Sequence, residues 1–208
     1  MIDWRESLAT VPVGNTPLVR LRRIVPAGAG EVWLKLESGN PTGSYKDRMA
    51  LAVVGGALER GDVAPGDRLV EYTGGSTGTA IAYAAARAGL RFTAISSDAF
   101  AAVKLRSMDA YGAEVLIEPS EGGKITPGLI ARMRDRATAL AAEPNSWYTD
   151  QFGNADIRPG YAPMGAEIAA VLGERLTVLC AGVGTGGALM GTIDGLERFA
   201  PAHNVPCV

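Results

Sequence analysis

Residues 68–89 read RLVEYTGGSTGTAIAYAAARAG, and three patterns follow one another within them. Arg68 to Tyr72 is a short, mainly apolar run that is typical of a β-strand. Thr77 to Ala88 is an alanine-rich run that predicts a helix. Gly89 is placed to end this helix, because glycine tolerates the left-handed conformation found at helix ends. The stretch therefore predicts one β–α unit, connected by residues 73–78, which we call the first glycine turn.

The same unit recurs on both sides of this stretch. Further strands are predicted at Val32 to Leu36, Phe92 to Ser96 and Glu114 to Ile117. Further helices are predicted at Arg48 to Arg60, Ala101 to Tyr111 and Pro127 to Ala142. Repeated β–α units form parallel sheets with crossover helices, so the sequence predicts an α/β fold.

The pattern changes after residue 143. Residues 144–163 form an aromatic connection that contains glycine and proline. The elements predicted beyond it are a helix at Tyr161 to Leu172, a strand at Leu176 to Ala181 and a helix at Leu189 to Phe199. Val205 to Val208 is interpreted as the opening of another strand. A chain that stops where a strand begins is expected to be incomplete.

The composition argues against several classes of protein. The 208 residues carry a net charge of -2, so no basic face is expected and nucleic-acid binding is not predicted. No apolar run approaches the roughly 20 residues of a membrane span, and the first residues do not form a secretion signal. With a single histidine, neither a metal site nor a Ser-His-Asp set is predicted.

The two cysteines indicate a reducing compartment. Cys180 and Cys207 are interpreted as free thiols of a cytoplasmic protein, because two isolated cysteines do not make a disulfide framework. Cys180 lies in an apolar run and is expected to pack in the core. Cys207 and His203 are expected at the surface near the C-terminus.

Lys46 is the first candidate for chemistry. It follows a turn formed by Pro41 and Gly43 and precedes the helix predicted from Arg48. The positive end of the helix dipole disfavours a lysine at this place. The same field lowers the lysine pKa toward the neutral amine that a nucleophile needs. A surface lysine beside a turn is the alternative interpretation.

The first glycine turn is a candidate anion site. It reads Thr73-Gly74-Gly75-Ser76-Thr77-Gly78, so every residue is a glycine or carries a hydroxyl. Because the turn leads into a helix N-terminus, its backbone N–H groups and hydroxyls can bind an anion. A tight strand–helix turn that needs glycine only for its geometry is the alternative interpretation.

A second glycine turn, residues 182–187, reads Gly182-Val183-Gly184-Thr185-Gly186-Gly187. It satisfies the G-x-G-x-x-G pattern between a predicted strand and helix, which makes a nicotinamide-dependent oxidoreductase a rival interpretation. That fingerprint needs an acidic residue about 20 positions further on. The chain has Val205 to Val208 there, with neither Asp nor Glu, so the rival lacks its partner residue.

Taken together, five segments resemble the cysteine synthase and cystathionine β-synthase family of fold-type-II pyridoxal-phosphate (PLP) enzymes. They are Gly14 to Val19, Lys35 to Glu37 with Asn40 to Arg48, Thr73 to Gly78, Gln151-Phe152, and Gly184 to Gly187. The resemblance covers essentially the whole chain. It implies a two-domain, three-layer αβα fold similar to the tryptophan synthase β subunit. The C-terminal part of the larger domain is missing relative to that family.

The resemblance also implies a domain division. The smaller α/β domain is expected at residues 41–143, inserted into a larger, incomplete domain made of residues 1–40 and 144–208. The larger domain would bind the cofactor phosphate. The cofactor would lie between the two domains, at the carboxyl ends of the strands, where open sheets bind ligands.

Residue roles follow from the same resemblance. Lys46 would bind the PLP cofactor covalently as a Schiff base and act as general base at the α-carbon of the substrate. The cofactor phosphate would be bound by Gly184, Thr185, Gly186, Gly187 and Ala188. The substrate carboxylate would be bound by Thr73, Gly74, Gly75, Ser76, Thr77 and Gln151. No metal is implied.

Three departures from the family pattern are visible. Ser76 stands where the family usually has an asparagine that contacts the cofactor 3′-oxygen, and Ala188 stands where a threonine is common. The family also runs further than this chain, and the missing part supplies the Ser or Thr that faces the pyridine nitrogen. An unpaired sheet edge left by the shorter chain would favour association.

The expected activity is β-elimination and β-replacement on an O-activated serine, as in cysteine biosynthesis, with the chain acting as a transferase or lyase. The alternatives are a PLP-dependent lyase, such as a serine/threonine dehydratase or a cysteine desulfhydrase, and a non-catalytic truncated relative. Residues 96–100 and 120–126 look unlike the best-known cysteine synthases and resemble a less familiar bacterial branch. The expected partners are a small amino-acid substrate and a second copy of the chain, in a cytoplasmic homodimer.

Overall fold

The computed structural model describes residues 3–199. Its helices are α1 Trp4–Ala9, α2 Lys46–Arg60, α3 Ser76–Ala88, α4 Ala102–Ala110, α5 Pro127–Ala141, α6 Ile157–Leu172 and α7 Gly187–Phe199. Its strands are β1 Leu18–Leu21, β2 Val32–Lys35, β3 Arg68–Tyr72, β4 Arg91–Ser97, β5 Glu114–Glu118 and β6 Ser146–Tyr148. The helices and strands alternate through most of the chain, so the predicted α/β class is confirmed.

A four-stranded parallel sheet organises the molecule, in the order β5-β4-β3-β6. Tyr72 at the end of β3 lies opposite Ile95 of β4, and Val70 lies opposite Tyr148 of β6. The carboxyl ends of these parallel strands therefore meet at one edge of the sheet. Strands β1 and β2 form a separate antiparallel pair.

Helices cover both faces of the parallel sheet. Leu69 of β3 belongs to an apolar cluster that includes Val53 of α2 and Ile81 of α3. Its neighbour Val70 points the other way, because side chains alternate along a strand, and it packs with Met133 of α5. The result is the predicted three-layer arrangement of helix, sheet and helix.

Glycine and proline set several helix ends as the sequence predicts. Gly61 and Gly89 end α2 and α3 with φ of 74° and 71°, in the left-handed region. Thr126 caps α5 by accepting a hydrogen bond from the Leu129 backbone N–H at 3.2 Å, and Pro127 follows as its first residue. These ends fix where each crossover helix returns to the sheet.

Within residues 3–199 no strand is assigned at Leu176 to Ala181, which differs from the prediction, and Leu179 alone is a bridge residue there. Cys180 is correspondingly exposed, which corrects the expectation that it packs in the core.

Some elements differ from the sequence-based prediction in smaller ways. Helix α2 begins at Lys46, two residues before the predicted start, and α3 begins at Ser76. Strand β6 lies in the connection that was predicted to have no strand; it has only three residues and shows no clear periodicity. The predicted strand opening at Val205 to Val208, together with His203 and Cys207, lies outside the described residues.

None of the helices within residues 3–199 combines the length and the apolar character needed to cross a bilayer. In the same residues, no group of three or more His, Cys, Asp or Glu side chains is arranged to hold a metal ion.

Candidate active site

Lys46 is the first residue of α2, and the turn before it is hydrogen-bonded to the helix. The Thr42 backbone N–H donates to Asp47 Oδ2 at 2.8 Å, and the Thr42 hydroxyl donates to the other oxygen of the same carboxylate. Gly43 adopts a φ of 77°, where other residues are strained. The Lys46 backbone N–H donates to Ser44 Oγ at 3.2 Å. These contacts fix the direction in which the lysine leaves the helix.

The environment of Lys46 favours a neutral amine. Its side chain is half-buried, and its Nζ lies 5.0 Å from the centre of the Tyr45 ring. Burial lowers the pKa of Lys46, and no acidic side chain within residues 3–199 offsets this effect. The sequence-based expectation for the direction of this pKa therefore agrees with the structure.

Arg48 anchors the first turn of α2. Its guanidinium donates to Glu37 Oε2 at 2.7 Å and to Glu167 Oε1 on α6 at 2.8 Å, and Lys35 also pairs with Glu167. Burial would raise the pKa of Glu167, but the hydrogen bonds from Arg48 and Lys35 hold it at about 2. Both acids stay ionised at neutral pH, so the network clamps the helix that carries Lys46.

The first glycine turn is closely packed. Thr73 Oγ1 accepts hydrogen bonds from the backbone N–H groups of Gly75 and Gly78, both at 3.2 Å. A Cβ atom added at Gly74 would overlap the Phe100 ring, and one added at Gly78 would overlap the buried side chain of Met108. The turn therefore requires glycine for packing, whereas the alternative interpretation of the sequence required it for backbone geometry. Its anion-binding role remains a prediction.

Gln151 lies against this turn although 74 positions separate it from Thr77. The Thr77 hydroxyl donates to Gln151 Oε1 at 2.9 Å, and Gln151 Nε2 donates to the backbone carbonyl of Tyr72 at 2.8 Å. Parallel pairing of β6 with β3 produces this proximity, because Gln151 follows β6 and the turn follows β3. The structure thus brings together two of the segments predicted to bind a substrate carboxylate.

Glu71 is a residue of this region that the sequence reasoning missed. It is wholly buried and lies on β3 directly below the turn. Burial raises the pKa of Glu71 to about 7, although hydrogen bonds from Thr149, Gln151 and Tyr72 oppose the rise. A signal was present in the sequence, since an acidic residue in an otherwise apolar central strand is costly to bury unless it is hydrogen-bonded.

Lys104 of α4 is a second residue that was missed. Its Nζ lies 3.4 Å from Ser76 Oγ, and its side chain covers Gly75. Ser76 was predicted to contact the cofactor in place of a longer asparagine. A second lysine therefore lies beside the first glycine turn.

The second glycine turn faces Lys46. One small cleft is lined by Tyr45, Lys46, Gly182, Gly184, Thr185, Gly186, Ala188 and Leu189. An adjoining cleft is lined by Gln151 and Phe152 on one side and by residues 185–187 on the other. The second turn therefore lies between the lysine and the glutamine. A larger groove between α2, α6 and α7 contains none of the predicted site residues.

The second turn has features that fit a phosphate group. Helix α7 begins at Gly187, and within residues 3–199 the backbone N–H groups of residues 184–188 donate to no protein acceptor. A Cβ atom at Gly184 would meet no atom within 4 Å, so the space before the turn is open. Unpaired N–H groups at a positive helix end bind anions. With a half-buried lysine opposite, the residues fit a ligand that carries both a phosphate and a reactive carbonyl.

A comparison with protein families gives one match over almost the whole chain. Residues 9–208 match the model of the family described as pyridoxal-phosphate dependent enzyme. Cysteine synthase B of Escherichia coli (strain K12) is 40% identical over 195 residues, which cover 93% of this chain and 61% of the relative. The probable cysteine synthase of Bacillus subtilis (strain 168) is 36% identical over 94% of this chain and 63% of the relative.

Solved structures agree with the sequence comparison. The crystal structure of O-ureido-L-serine synthase matches with a TM-score of 0.82 and 34% identity, over 97% of this chain and 61% of that protein. O-acetylserine dependent cystathionine beta-synthase from Helicobacter pylori matches with a TM-score of 0.79 and 30% identity, over 100% of this chain and 66% of that protein. The chain thus spans about 61% to 66% of the length of these proteins.

Proposed function

The chain belongs to the family of pyridoxal-phosphate dependent enzymes, and from this premise we propose that it catalyses β-elimination and β-replacement on an O-activated serine. The observation that carries the proposal is the shared cleft, in which Lys46 faces the second glycine turn. The relatives named cysteine synthase support this reaction class. The sequence-based prediction and the geometry therefore lead to the same chemistry.

Pyridoxal phosphate, when bound, supplies an electron sink for breaking bonds at the α-carbon of an amino acid. Lys46 would hold its carbonyl carbon covalently, because burial favours the neutral, nucleophilic amine. The same amine, once released, would accept the proton from the substrate α-carbon at Nζ. The clamp around Arg48 keeps this amine in place through both tasks.

The second glycine turn would hold the cofactor phosphate. Gly184, Thr185, Gly186, Gly187 and Ala188 would supply backbone N–H groups, and Thr185 would add a hydroxyl. The positive end of α7 favours the dianion at this place. Ser76, with Lys104 beside it, would contact the cofactor from the opposite side.

The first glycine turn would orient the substrate. Thr73, Gly74, Gly75, Ser76, Thr77 and Gln151 would surround the substrate carboxylate and so direct its α-proton to Lys46. Holding the reacting groups in this geometry removes much of the entropic barrier of the proton transfer. Thr77 now donates to Gln151, so its hydroxyl must rotate toward the substrate when the carboxylate binds.

A non-catalytic role is the second candidate, because the sequence departs from the family pattern at Ser76 and Ala188, two of the residues expected at the cofactor. A chain that folds but does not retain the cofactor would act as an interaction unit. The first experiment below separates these two functions.

The first experiment measures cofactor attachment. Purified protein mixed with pyridoxal phosphate is expected to show the yellow absorption of a lysine-bound cofactor, and borohydride reduction is expected to label Lys46 in a peptide mass map. Lys46→Ala is expected to abolish both signals. Lys124→Ala, which removes an exposed lysine, is the matched control and is expected to keep them. Wild-type protein without absorption or label would contradict the proposed catalysis.

The second experiment identifies the reaction. Protein with bound cofactor is incubated with O-acetylserine, with and without sulfide. Cysteine formed only when sulfide is present would support β-replacement. Pyruvate formed at the same rate in both mixtures would instead indicate a lyase such as a serine/threonine dehydratase or a cysteine desulfhydrase.

We also propose that the smaller domain comprises residues 41–143, that residues 1–40 and 144–208 form the larger one, and that the chain works as a cytoplasmic homodimer. The position of three of the four parallel strands within residues 68–118 supports the division. Light scattering of the purified protein tests the dimer, and a monomeric mass would contradict it. Limited proteolysis tests the boundaries, which predict first cuts near residues 40 and 144.

A further inference from the structure

We propose that Glu71 is a positioning residue, a buried carboxylate that orients Gln151 and, through it, Thr77 of the first glycine turn. This inference rests on the proposed function, because it concerns the residues that would bind the substrate carboxylate. It adds a residue to that site and a pH dependence to substrate binding.

The Glu71 carboxylate accepts hydrogen bonds from four donors. Glu71 Oε2 accepts from Thr149 Oγ1 at 2.6 Å and from the Gln151 backbone N–H at 2.9 Å. Glu71 Oε1 accepts from the Tyr72 backbone N–H at 3.1 Å and from Gln151 Nε2 at 3.5 Å. Glu71 therefore holds both the main chain and the side chain of Gln151, and it joins the ends of β3 and β6.

The hydrogen bonds of the Gln151 side-chain amide fix which way its nitrogen and oxygen point. Its Nε2 lies between the Tyr72 carbonyl and Glu71 Oε1, and both of these groups can only accept while the carboxylate is ionised. Its Oε1 therefore faces Thr77 and accepts from the Thr77 hydroxyl at 2.9 Å, and in this arrangement the amide has no N–H left for a substrate carboxylate. A continuous chain of hydrogen bonds thus runs from Glu71 through Gln151 to the first turn of α3.

The surroundings of Glu71 make its charge sensitive to pH near neutrality. The titratable and charged groups around it are Tyr72 on β3, Tyr148 on β6, Asp150 after β6, and Arg134 on α5. Within residues 3–199 no Lys or Arg forms an ion pair with Glu71. Burial, helped by the charge of Asp150, raises its pKa to about 7 against the hydrogen bonds that lower it.

Protonation would weaken the chain of hydrogen bonds. The ionised carboxylate is a stronger acceptor than a neutral carboxyl group, and the added hydrogen can be donated to Thr149 Oγ1, whose own hydroxyl then turns to the Val70 carbonyl at 3.3 Å. The bond to Gln151 Nε2 is the longest of the four and is the one weakened most. Because a substrate carboxylate needs N–H and O–H donors, release of Gln151 Nε2 and of the Thr77 hydroxyl is expected to raise substrate affinity as the pH drops through about 7, with little change in the chemical step.

The decisive test uses the fact that Gln151 is the only glutamine in the chain. Protein labelled with ¹⁵N-glutamine shows one side-chain amide pair, whose shifts are followed by NMR from pH 5 to pH 9 without cofactor. We expect a transition with a midpoint near 7. This NMR titration requires neither a variant nor enzymatic activity. A flat titration overturns the inference, whatever the protein catalyses.

The second test measures the steady-state kinetics of the protein with bound cofactor. In Glu71→Gln at pH 8 we expect KM for O-acetylserine to fall about tenfold, with kcat within about threefold of wild type, because a neutral side chain holds Gln151 Nε2 less strongly. We also expect the rise of KM above pH 7 to disappear. Glu118→Gln, the same substitution on β5, which β4 separates from β3 in the sheet, is the matched control and is expected to keep the wild-type pH profile.

The outcomes separate this inference from the proposed function. An unchanged pH profile in Glu71→Gln overturns the inference even when the variant is less active, because a merely structural role moves stability and not the profile. If Lys46 does not bind the cofactor, the proposed function is contradicted, but the inference about Glu71 is not. The NMR titration of Gln151 then still decides whether Glu71 controls its orientation.

Discussion

The two glycine turns both lead into the N-terminus of a helix and have nearly the same composition, yet they differ in packing. In the first turn, residues 73–78, added side-chain atoms at Gly74 and Gly78 would collide with Phe100 and Met108. In the second turn, residues 182–187, Gly182 and Gly184 have no atom within 4 Å of the place where a Cβ would stand. The first turn is filled by protein, whereas the second is open except at Gly187, where an added Cβ would overlap Ile157.

This difference shows that glycine has two separate uses in turns of one sequence type. In the first turn it allows a helix, α4, to pack closely on the backbone. In the second it leaves the backbone N–H groups accessible to an outside anion. Composition does not distinguish the two uses, but the neighbours of each glycine do. Three measurements test the comparison.

The largest expected effect concerns the strand that leads into the first turn. Folded protein keeps the proton of Glu71 up to about pH 7, whereas the unfolded chain releases it near 4.5, so stability falls as the pH rises between these values. The rise of the Glu71 pKa from 4.5 to about 7 corresponds to roughly 3 kcal/mol of unfolding free energy. Urea denaturation of the wild type at pH 4.5 and 7.5 measures it.

Glu71→Gln is expected to remove most of this slope, and Glu118→Gln is expected to retain it. Asp47, whose pKa burial also raises, accounts for the remaining slope. Glu37 and Glu167 do not contribute in this range, because their lowered pKa values place their loss of stability below pH 4.5. An equal slope in both variants would contradict the assignment to Glu71.

The second effect tests the packing of the first turn. Gly78→Ala is expected to lower the unfolding free energy by about 2 kcal/mol, because the new methyl group overlaps Met108 and Thr73. Gly55→Ala is the matched control, since this helical glycine has open space around it and alanine there is expected to stabilise by about 0.5 kcal/mol. Equal unfolding free energies of Gly78→Ala and Gly55→Ala would contradict the close packing of the first glycine turn.

The smallest effect tests the openness of the second turn. Gly184→Ala is expected to leave the unfolding free energy within about 0.5 kcal/mol of wild type, because its methyl group meets no protein atom. The methyl group would enter the cleft shared with Lys46, so affinity for pyridoxal phosphate is expected to fall about tenfold. Titration followed by absorption measures this. If Gly184→Ala keeps the wild-type affinity for pyridoxal phosphate but lowers the unfolding free energy, the second turn is closely packed and the comparison is contradicted.

The sequence predicted the parallel sheet, the crossover helices and the meeting of Lys46 with the second glycine turn. These features depend on local signals, such as Gly61 and Gly89 at helix ends, and on the order of five motifs. It did not predict Glu71 or Lys104, because their roles come from contacts that form only when β6 pairs with β3 or when α4 packs on a turn. The strand predicted at Leu176 to Ala181 is not assigned within residues 3–199, since apolar sequence alone does not determine which strand pairs with it.

The guanidinium of Arg48 reaches Glu167, a residue 119 positions later in the chain. During synthesis, therefore, the helix that begins with Lys46 emerges from the ribosome long before the acid that clamps it. Contacts between residues so distant in sequence form late in folding, because a long loop must close first. The lysine is thus fixed in its final direction only after α6 has been made and has docked, and the cleft that would receive the cofactor matures in the same late event.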